Sequence, residues 1–151
     1  MGKNCSGKID FVKALEEKDI KPTLQRVKIF QYLVKINHKH PTVDTIYQGL
    51  YKKIPTLSKA TVYNSLDLFE ASGLIRRIHI GSNDIRYDAW TDRHSHFKCI
   101  KCNEVYDFAI ETLESEEEKL SKHKILDKVV FYIGICEKCL EKDNSENKEI
   151  S

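Results

Sequence analysis

Apolar residues in the first half of the chain recur with a helical period, broken at regular points by capping residues and proline. Phe11, Val12 and Leu15 mark one face of a short helix ending near Asp19. A second helix is predicted from Thr23 to Ile36, with Pro22 just ahead of it and Leu24, Val27, Phe30, Leu33 and Val34 on one stripe. The third begins after Pro41, with Thr42 as N-cap and Val43, Ile46, Tyr47 and Leu50 spaced i, i+3, i+4, i+7 until Pro55 closes it. In the fourth, Ser58 is the N-cap, Val62, Leu66 and Phe69 point inward, and Gly73 ends it. The period then shortens: Leu74 to Ile80 and Ile85 to Asp88 flank Gly81-Ser82-Asn83-Asp84, the pattern of a β-hairpin. Helices followed by a two-stranded hairpin describe a winged helix, with the third and fourth helices as helix-turn-helix around Ile54-Pro55-Thr56-Leu57.

The second half reads differently. Strands are expected at His96 to Cys99 and Glu104 to Phe108, then an acidic helix from Glu111 to Lys124, then a strand from Lys128 to Cys136. That last strand is apolar at Val129, Phe131, Ile133 and Ile135, and at Val130 and Tyr132 between them, so both of its faces need cover. We read the second face as a subunit interface, which makes the chain a homodimer. The fold class is therefore α+β: a winged helix-turn-helix DNA-binding domain over residues 1–90, then a small α/β dimerisation and metal-binding domain over 91–140. The boundary falls near Asp88 to Arg93, and the polar segment 141–151 is expected to be a disordered tail.

Composition narrows the class. Of 151 residues, 40% are hydrophobic and 32% charged, which excludes both a disordered polyelectrolyte and a membrane protein. Apolar runs are interrupted by charge well short of a membrane span, and the first residues lack the apolar core of a signal peptide, so the chain reads as cytoplasmic. The net charge of +2 hides an asymmetry: residues 1–90 carry +6 and residues 91–151 carry −4.

That asymmetry favours nucleic acid as partner of the first half. Lys59, Thr61, Tyr63 and Asn64 lie near the N-terminus of the fourth helix and off its inward face, where a recognition helix meets base edges. Arg76, Arg77 and Arg86 fall on the hairpin, and Lys21, Arg26 and Lys28 near the start of the second helix, as candidate phosphate contacts. An ordinary solvated helix face would carry similar residues; the helical order followed by a basic hairpin favours double-stranded DNA.

Two clusters carry metal chemistry. Cys99-x-x-Cys102 and Cys136-x-x-Cys139 supply four thiolates, the donor set of a closed, structural tetrahedral Zn²⁺ site. A disulfide pair is the weaker reading in a reducing compartment, and neither hook has the βαβ context of a thiol oxidoreductase. Cys5 stands apart. His94 and His96 share a strand face by the two-residue period, Asp88 precedes them, Asp107 lies on the next strand and His40 stands before Pro41. Three imidazoles and two carboxylates suit Fe²⁺, Mn²⁺ or Zn²⁺. His38, His79 and His123 read as plain surface residues.

In order along the chain, Thr23-Leu24-Gln25-Arg26, His40-Pro41-Thr42-Val43-Asp44-Thr45-Ile46-Tyr47, Ala60-Thr61-Val62-Tyr63-Asn64-Ser65-Leu66, Gly73-Leu74-Ile75, His94-Ser95-His96 and both CxxC pairs resemble the ferric uptake regulator (Fur) superfamily of metal-dependent repressors. The resemblance runs from about Ile9 to Cys139. It implies structural zinc on Cys99, Cys102, Cys136 and Cys139, and a regulatory Fe²⁺ or Mn²⁺ site at His40, Asp88, His94, His96 and Asp107. One ion recruiting all five donors would set the angle between the halves, and so the spacing of two recognition helices on an inverted-repeat operator. Aspartate at both 88 and 107, where iron-uptake regulators usually carry glutamate, is similar to the peroxide-sensing branch, whose iron-catalysed oxidation of a ligand histidine releases DNA. Arg93-His94-Ser95-His96, with Asp127 and Lys128 later on, departs from the pattern of the additional metal site of many Fur proteins. An iron-, manganese- or zinc-responsive repressor is the alternative, with a thiol oxidoreductase or a zinc-stabilised interaction module more remote. The chain is not expected to be an enzyme.

Overall fold

Four helices of the first half start on side-chain caps, and those caps place everything that follows. The computed structural model describes residues 9–80, 84–90, 94–109, 118–126 and 128–149, and the chain divides into two units, Met1–Thr91 and Asp92–Ser151. In the first unit α1 (Phe11–Glu16) is capped by Asp10, α2 (Leu24–Lys35) by Thr23, α3 (Val43–Leu50) by Thr42 and α4 (Lys59–Ala71) by Ser58. Each cap accepts a backbone N–H three residues on, at 3.1–3.4 Å, and contributes about 1 kcal/mol. A 3₁₀ turn, Asn37–Lys39, separates α2 from α3.

The inward stripes meet in one core. Leu33, Ile46, Val62, Leu66 and Phe69 are fully buried, and Phe11, Phe30 and Phe69 form a chain of ring contacts at 5.5 and 5.7 Å. Leu24 departs from its expected inward position: it is the first residue of α2, a turn ahead of the packed stretch, and remains 69% exposed. Helix α3 stops at Leu50, before Pro55, because Lys53 and Ile54 turn their N–H groups back onto the Leu50 carbonyl. Gly49 lies so close to α2 that a Cβ there would overlap the end of the Tyr32 ring, which would have to move to admit any larger residue.

Gly73, at φ +74°, ends α4 in the left-handed conformation, and the Leu74 N–H returns to the Phe69 carbonyl. The hairpin then pairs β1 (Arg76–Ile80) with β2 (Asp84–Asp88), antiparallel, from Arg76↔Asp88 to Ile80↔Asp84. Its first strand starts two residues later than expected, since Leu74 serves the helix end and Ile75 fills the core. Residues 81–83 of the expected turn lie outside the described residues.

The described strands of the second unit form a three-stranded sheet in the order β4-β3-β5. Strand β3 (His94–Cys99) pairs antiparallel with β4 (Val105–Ala109) and parallel with β5 (Phe131–Gly134). The ladder covers only the centre of the expected 128–136 strand, and Val129, Tyr132 and Ile133 are exposed on the single chain. The first half of the expected acidic helix over 111–124, residues 111–117, lies outside the described residues; in the second half Glu118 and Lys119 are helical and turn bonds close at Glu118–Ser121 and Leu120–His123.

The expected disordered tail requires correction. Helix α5 (Glu137–Glu149) runs through most of it. The Cys139 and Leu140 N–H groups anchor its first turn on the Cys136 carbonyl. Asp143 then pairs with Lys101, and the Ser145 hydroxyl donates to the Glu141 carbonyl. Polar composition suggested disorder, but Glu and Lys are good helix formers once a first turn is fixed.

Candidate metal centres and nucleic-acid interface

The cysteines converge where two backbone hooks meet. Cys99 ends β3 and Cys102 follows in the turn, where Asn103 adopts φ +59° and donates its N–H to the Cys99 carbonyl. Cys136 and Cys139 straddle the start of α5. Cys99 and Cys139 sulfurs lie 3.9 Å apart, those of Cys102 and Cys136 3.7 Å. All four ligand atoms fall within 4.8 Å of one another. A disulfide would require about 2.05 Å. A tetrahedral ion with bonds of about 2.3 Å sets neighbouring sulfurs roughly 3.8 Å apart, so the cluster fits a four-thiolate metal centre and all four cysteines are free thiols.

The electrostatics agree with that donor set. The Cys102 N–H, followed by those of Cys136 and Lys101, holds the Cys99 thiol down to about 6. The Tyr106 hydroxyl lowers Cys136 by hydrogen bonding, while the same Cys136 sulfur pushes Cys139 up to about 12. Four neighbouring thiolates repel, so only a cation in their midst stabilises all of them together.

Of the five candidate N/O ligands, His40 and Asp88 belong to the first unit and His94, His96 and Asp107 to the second. In the second, strand pairing sets Asp107 directly across from His96, with His94 two residues along the same face. Asp107 Oδ1 lies 2.9 Å from His96 Nδ1 and 3.6 Å from His94 Nε2. The two imidazoles meet edge to face at 4.5 Å, and His96 stacks on Phe131 at 5.4 Å. One carboxylate thus serves two partly or fully buried imidazoles, an N/O donor set for a divalent ion.

In the first unit His40 and Asp88 are both fully buried. His40 takes a left-handed conformation, φ +46°, at the end of the 3₁₀ turn. Its Nε2 lies 3.9 Å from Asp88 Oδ2. The other carboxylate oxygen accepts from Asn37 Nδ2 at 2.9 Å and from the Trp90 N–H at 2.8 Å. The Tyr87 N–H donates to the Pro41 carbonyl, and Arg86 donates to the His40 carbonyl at 3.3 Å, so strand β2 is clipped to the His40 loop.

Sequence reasoning missed Asn37 and Tyr106. A lone Asn after an apolar helix stripe carries no signal of burial, and a tyrosine on a strand none of a thiol partner.

On α4, Lys59, Tyr63 and Asn64 are exposed and Thr61 partly so. Thr61 shares its hydroxyl with the Ser58 cap at 2.9 Å, and Lys59 pairs with Asp44 at 2.6 Å, a hydrogen bond that raises its ammonium above the usual value. Arg76 is partly exposed and Lys21 and Lys28 are placed near the start of α2, while Arg26 donates to the Lys21 carbonyl. Two hairpin arginines also make contacts within the first unit. Arg77 pairs with Asp67 and Glu70 of α4 and lies over the Tyr87 ring. Arg86 caps the carbonyls of Lys39 and His40. Both guanidiniums tie the hairpin to helical segments of the first unit.

Fold and site together define a winged-helix protein joined to a sheet unit with a four-cysteine centre and a histidine–aspartate donor set. The chain belongs to the ferric uptake regulator family, whose model matches residues 17–131. It is 37% identical to the peroxide operon regulator of Bacillus subtilis over 88% of this chain and 93% of that protein. With the peroxide-responsive repressor PerR of Staphylococcus epidermidis it shares 35% identity, over 88% of this chain and 90% of that protein. The ferric uptake regulator of Vibrio cholerae superposes with a TM-score of 0.72 at 27% identity, over 84% of this chain and 100% of that one. No helix among the described residues is long and apolar enough to cross a membrane.

Proposed function

We propose that this protein is a metal-dependent, DNA-binding transcriptional repressor, a cytoplasmic homodimer without enzymatic activity, that responds to hydrogen peroxide. The observation that carries the reading is the Asp107 carboxylate shared by two imidazoles of one strand face. Likeness over most of the chain to a peroxide operon regulator and a peroxide-responsive repressor supports the peroxide part, as do aspartates at both 88 and 107.

In this reading Cys99, Cys102, Cys136 and Cys139 hold a structural Zn²⁺ that fastens α5 to the sheet. His40, Asp88, His94, His96 and Asp107 serve one Fe²⁺ or Mn²⁺; the sequence motifs assign the five to one ion. Exposed Val129, Tyr132 and Ile133 are covered by the second subunit. Thr61, Tyr63 and Asn64 read base edges of a double-stranded inverted repeat, with Lys59, Arg76, Arg77, Arg86, Arg26, Lys21 and Lys28 on the backbone. Each winged helix must meet its own half-site, so the relative setting of the two units decides whether both recognition helices engage at once.

Held by His40, Asp88, His94, His96 and Asp107, Fe²⁺ would supply the redox chemistry that activates hydrogen peroxide beside the imidazoles, any electron it lends being regained from the oxidised ring. The net change is transfer of one oxygen atom to an imidazole carbon of His40 or His94, oxidised by two electrons, while peroxide leaves as water. The altered ring is a poorer donor, so that ligand is lost, and metal and DNA are released. Mn²⁺ supports DNA binding without this chemistry. Peptide mass spectrometry of the iron-loaded dimer after brief peroxide exposure will find one added oxygen on a His40 or His94 peptide; oxidation confined to cysteines would sink the sensing mechanism.

A further inference from the structure

We infer that Asn37 is a positioning residue of the regulatory metal site, fixing the Asp88 carboxylate in the orientation in which it can serve as a ligand. The inference rests on the metal site proposed above and adds a residue outside its donor set.

Asn37 is only 2% exposed, in the turn that ends at His40. A buried carboxamide costs free energy unless both of its ends are bonded. Both are, and to one short segment. Nδ2 donates to Asp88 Oδ1 at 2.9 Å, and Oδ1 accepts the Ala89 N–H at 2.6 Å. The amide therefore spans the Asp88–Ala89 peptide like a clamp, holding a side chain and its following backbone with one planar group. The Trp90 N–H reaches the same Asp88 Oδ1 at 2.8 Å, so two donors converge on one oxygen. The other, Oδ2, is turned toward His40 Nε2. Rotation of the carboxylate about its last bond would break both bonds to Oδ1.

The clamp also joins the two sources of ligands within the first unit. Asn37 lies three residues before His40, and the His40 N–H donates to the Asn37 carbonyl at 2.9 Å. One residue thus fixes the loop carrying the imidazole through its backbone and the carboxylate through its side chain. A neutral amide is well matched to this position, because it donates to a carboxylate without adding a positive charge that would oppose a divalent cation. Partners that orient ligands in this manner typically contribute about ten- to hundredfold in metal affinity.

The test uses the full-length, zinc-loaded chain and Mn²⁺ alone. Trp90, the one tryptophan of the sequence, follows the clamp directly and provides the fluorescence signal. Thermal melts with and without Mn²⁺ give a second readout. Asn37→Ala will bind Mn²⁺ about ten- to hundredfold more weakly, and its metal-induced rise in melting temperature will shrink accordingly. Asn37→Ser, which keeps a hydroxyl donor in a smaller side chain, guards against misfolding and will fall between wild type and alanine. A residue that only supports the fold would lower both melts equally and leave Mn²⁺ affinity unchanged; that result overturns the inference. The Asp88→Ala variant separates the two levels. If it loses Mn²⁺ binding while both Asn37 variants keep wild-type affinity, the clamp is wrong and the site stands. If Asp88→Ala itself binds like wild type, the site assignment fails and the inference with it.

Discussion

Cys136→Ser will cost the second unit its zinc and its cooperative thermal transition. The described part of that unit buries few apolar side chains: Val105, with Cys99 and Cys136 themselves. Several of its larger hydrophobic residues, Tyr132, Ile133 and Val129 among them, face outward on the single chain. A sheet of three short strands cannot supply from such a core what it loses in chain entropy. Structural zinc stabilises small domains by an apparent value of about 10–16 kcal/mol, comparable to the whole stability of an ordinary domain. Cys136 is tied both to other cysteines and to the start of α5. Its sulfur lies 3.7 Å from that of Cys102, its N–H donates to the Cys99 sulfur at 3.3 Å, and its carbonyl starts α5. Serine removes the thiolate while leaving volume almost unchanged, so loss of the transition reports the metal and not packing. Zinc content and circular dichroism of the variant, beside wild type treated with chelator, check this. A zinc-free variant that melts like wild type would contradict a structural role for the centre.

The second large effect concerns regulation. Asp107→Asn will abolish the gain in DNA affinity that Mn²⁺ confers on the wild type. Two imidazoles converge on this carboxylate, and amide replacement keeps its shape while removing its charge and half its acceptor capacity. Coupling between an effector and a second ligand is typically about 1–3 kcal/mol, or 5- to 150-fold in affinity. A metal at about a hundred times its Kd stabilises the form that binds it by about 2.7 kcal/mol, which lies within that range. Fluorescence anisotropy with an operator duplex should find the variant equally weak with and without Mn²⁺, at the metal-free wild-type level. A variant that retains the metal-dependent gain would remove Asp107 from the regulatory site.

What could be read from the sequence follows how local each interaction is. Thr42 and Ser58 cap their helices as expected, because an N-cap bonds only three residues onward. Gly73 ends α4 for the same reason. The CxxC hooks were legible because each pairs two ligands across one turn, and the His-x-His strand because the two-residue period fixes its face. Distant choices were not legible. Nothing local showed that Asp67 and Glu70 would lie within reach of Arg77. Asn37 reads as an ordinary polar residue until Asp88 and Ala89, over fifty positions later, fold against it. Helix α5 reads as tail because its composition is polar; its order comes from the cysteine anchor and from Lys101, forty-two residues from Asp143.

The central claim is that metal occupancy, cancelled by peroxide, controls DNA binding. Operator affinity of the zinc-loaded wild type, measured without added metal, with Mn²⁺ and with Fe²⁺, each before and after peroxide, tests it most directly. Both metals should tighten binding, and peroxide should reverse the effect of Fe²⁺ while leaving that of Mn²⁺ intact. Binding that is indifferent to both metals, or that peroxide weakens equally in the Mn²⁺ and Fe²⁺ forms, would contradict the account.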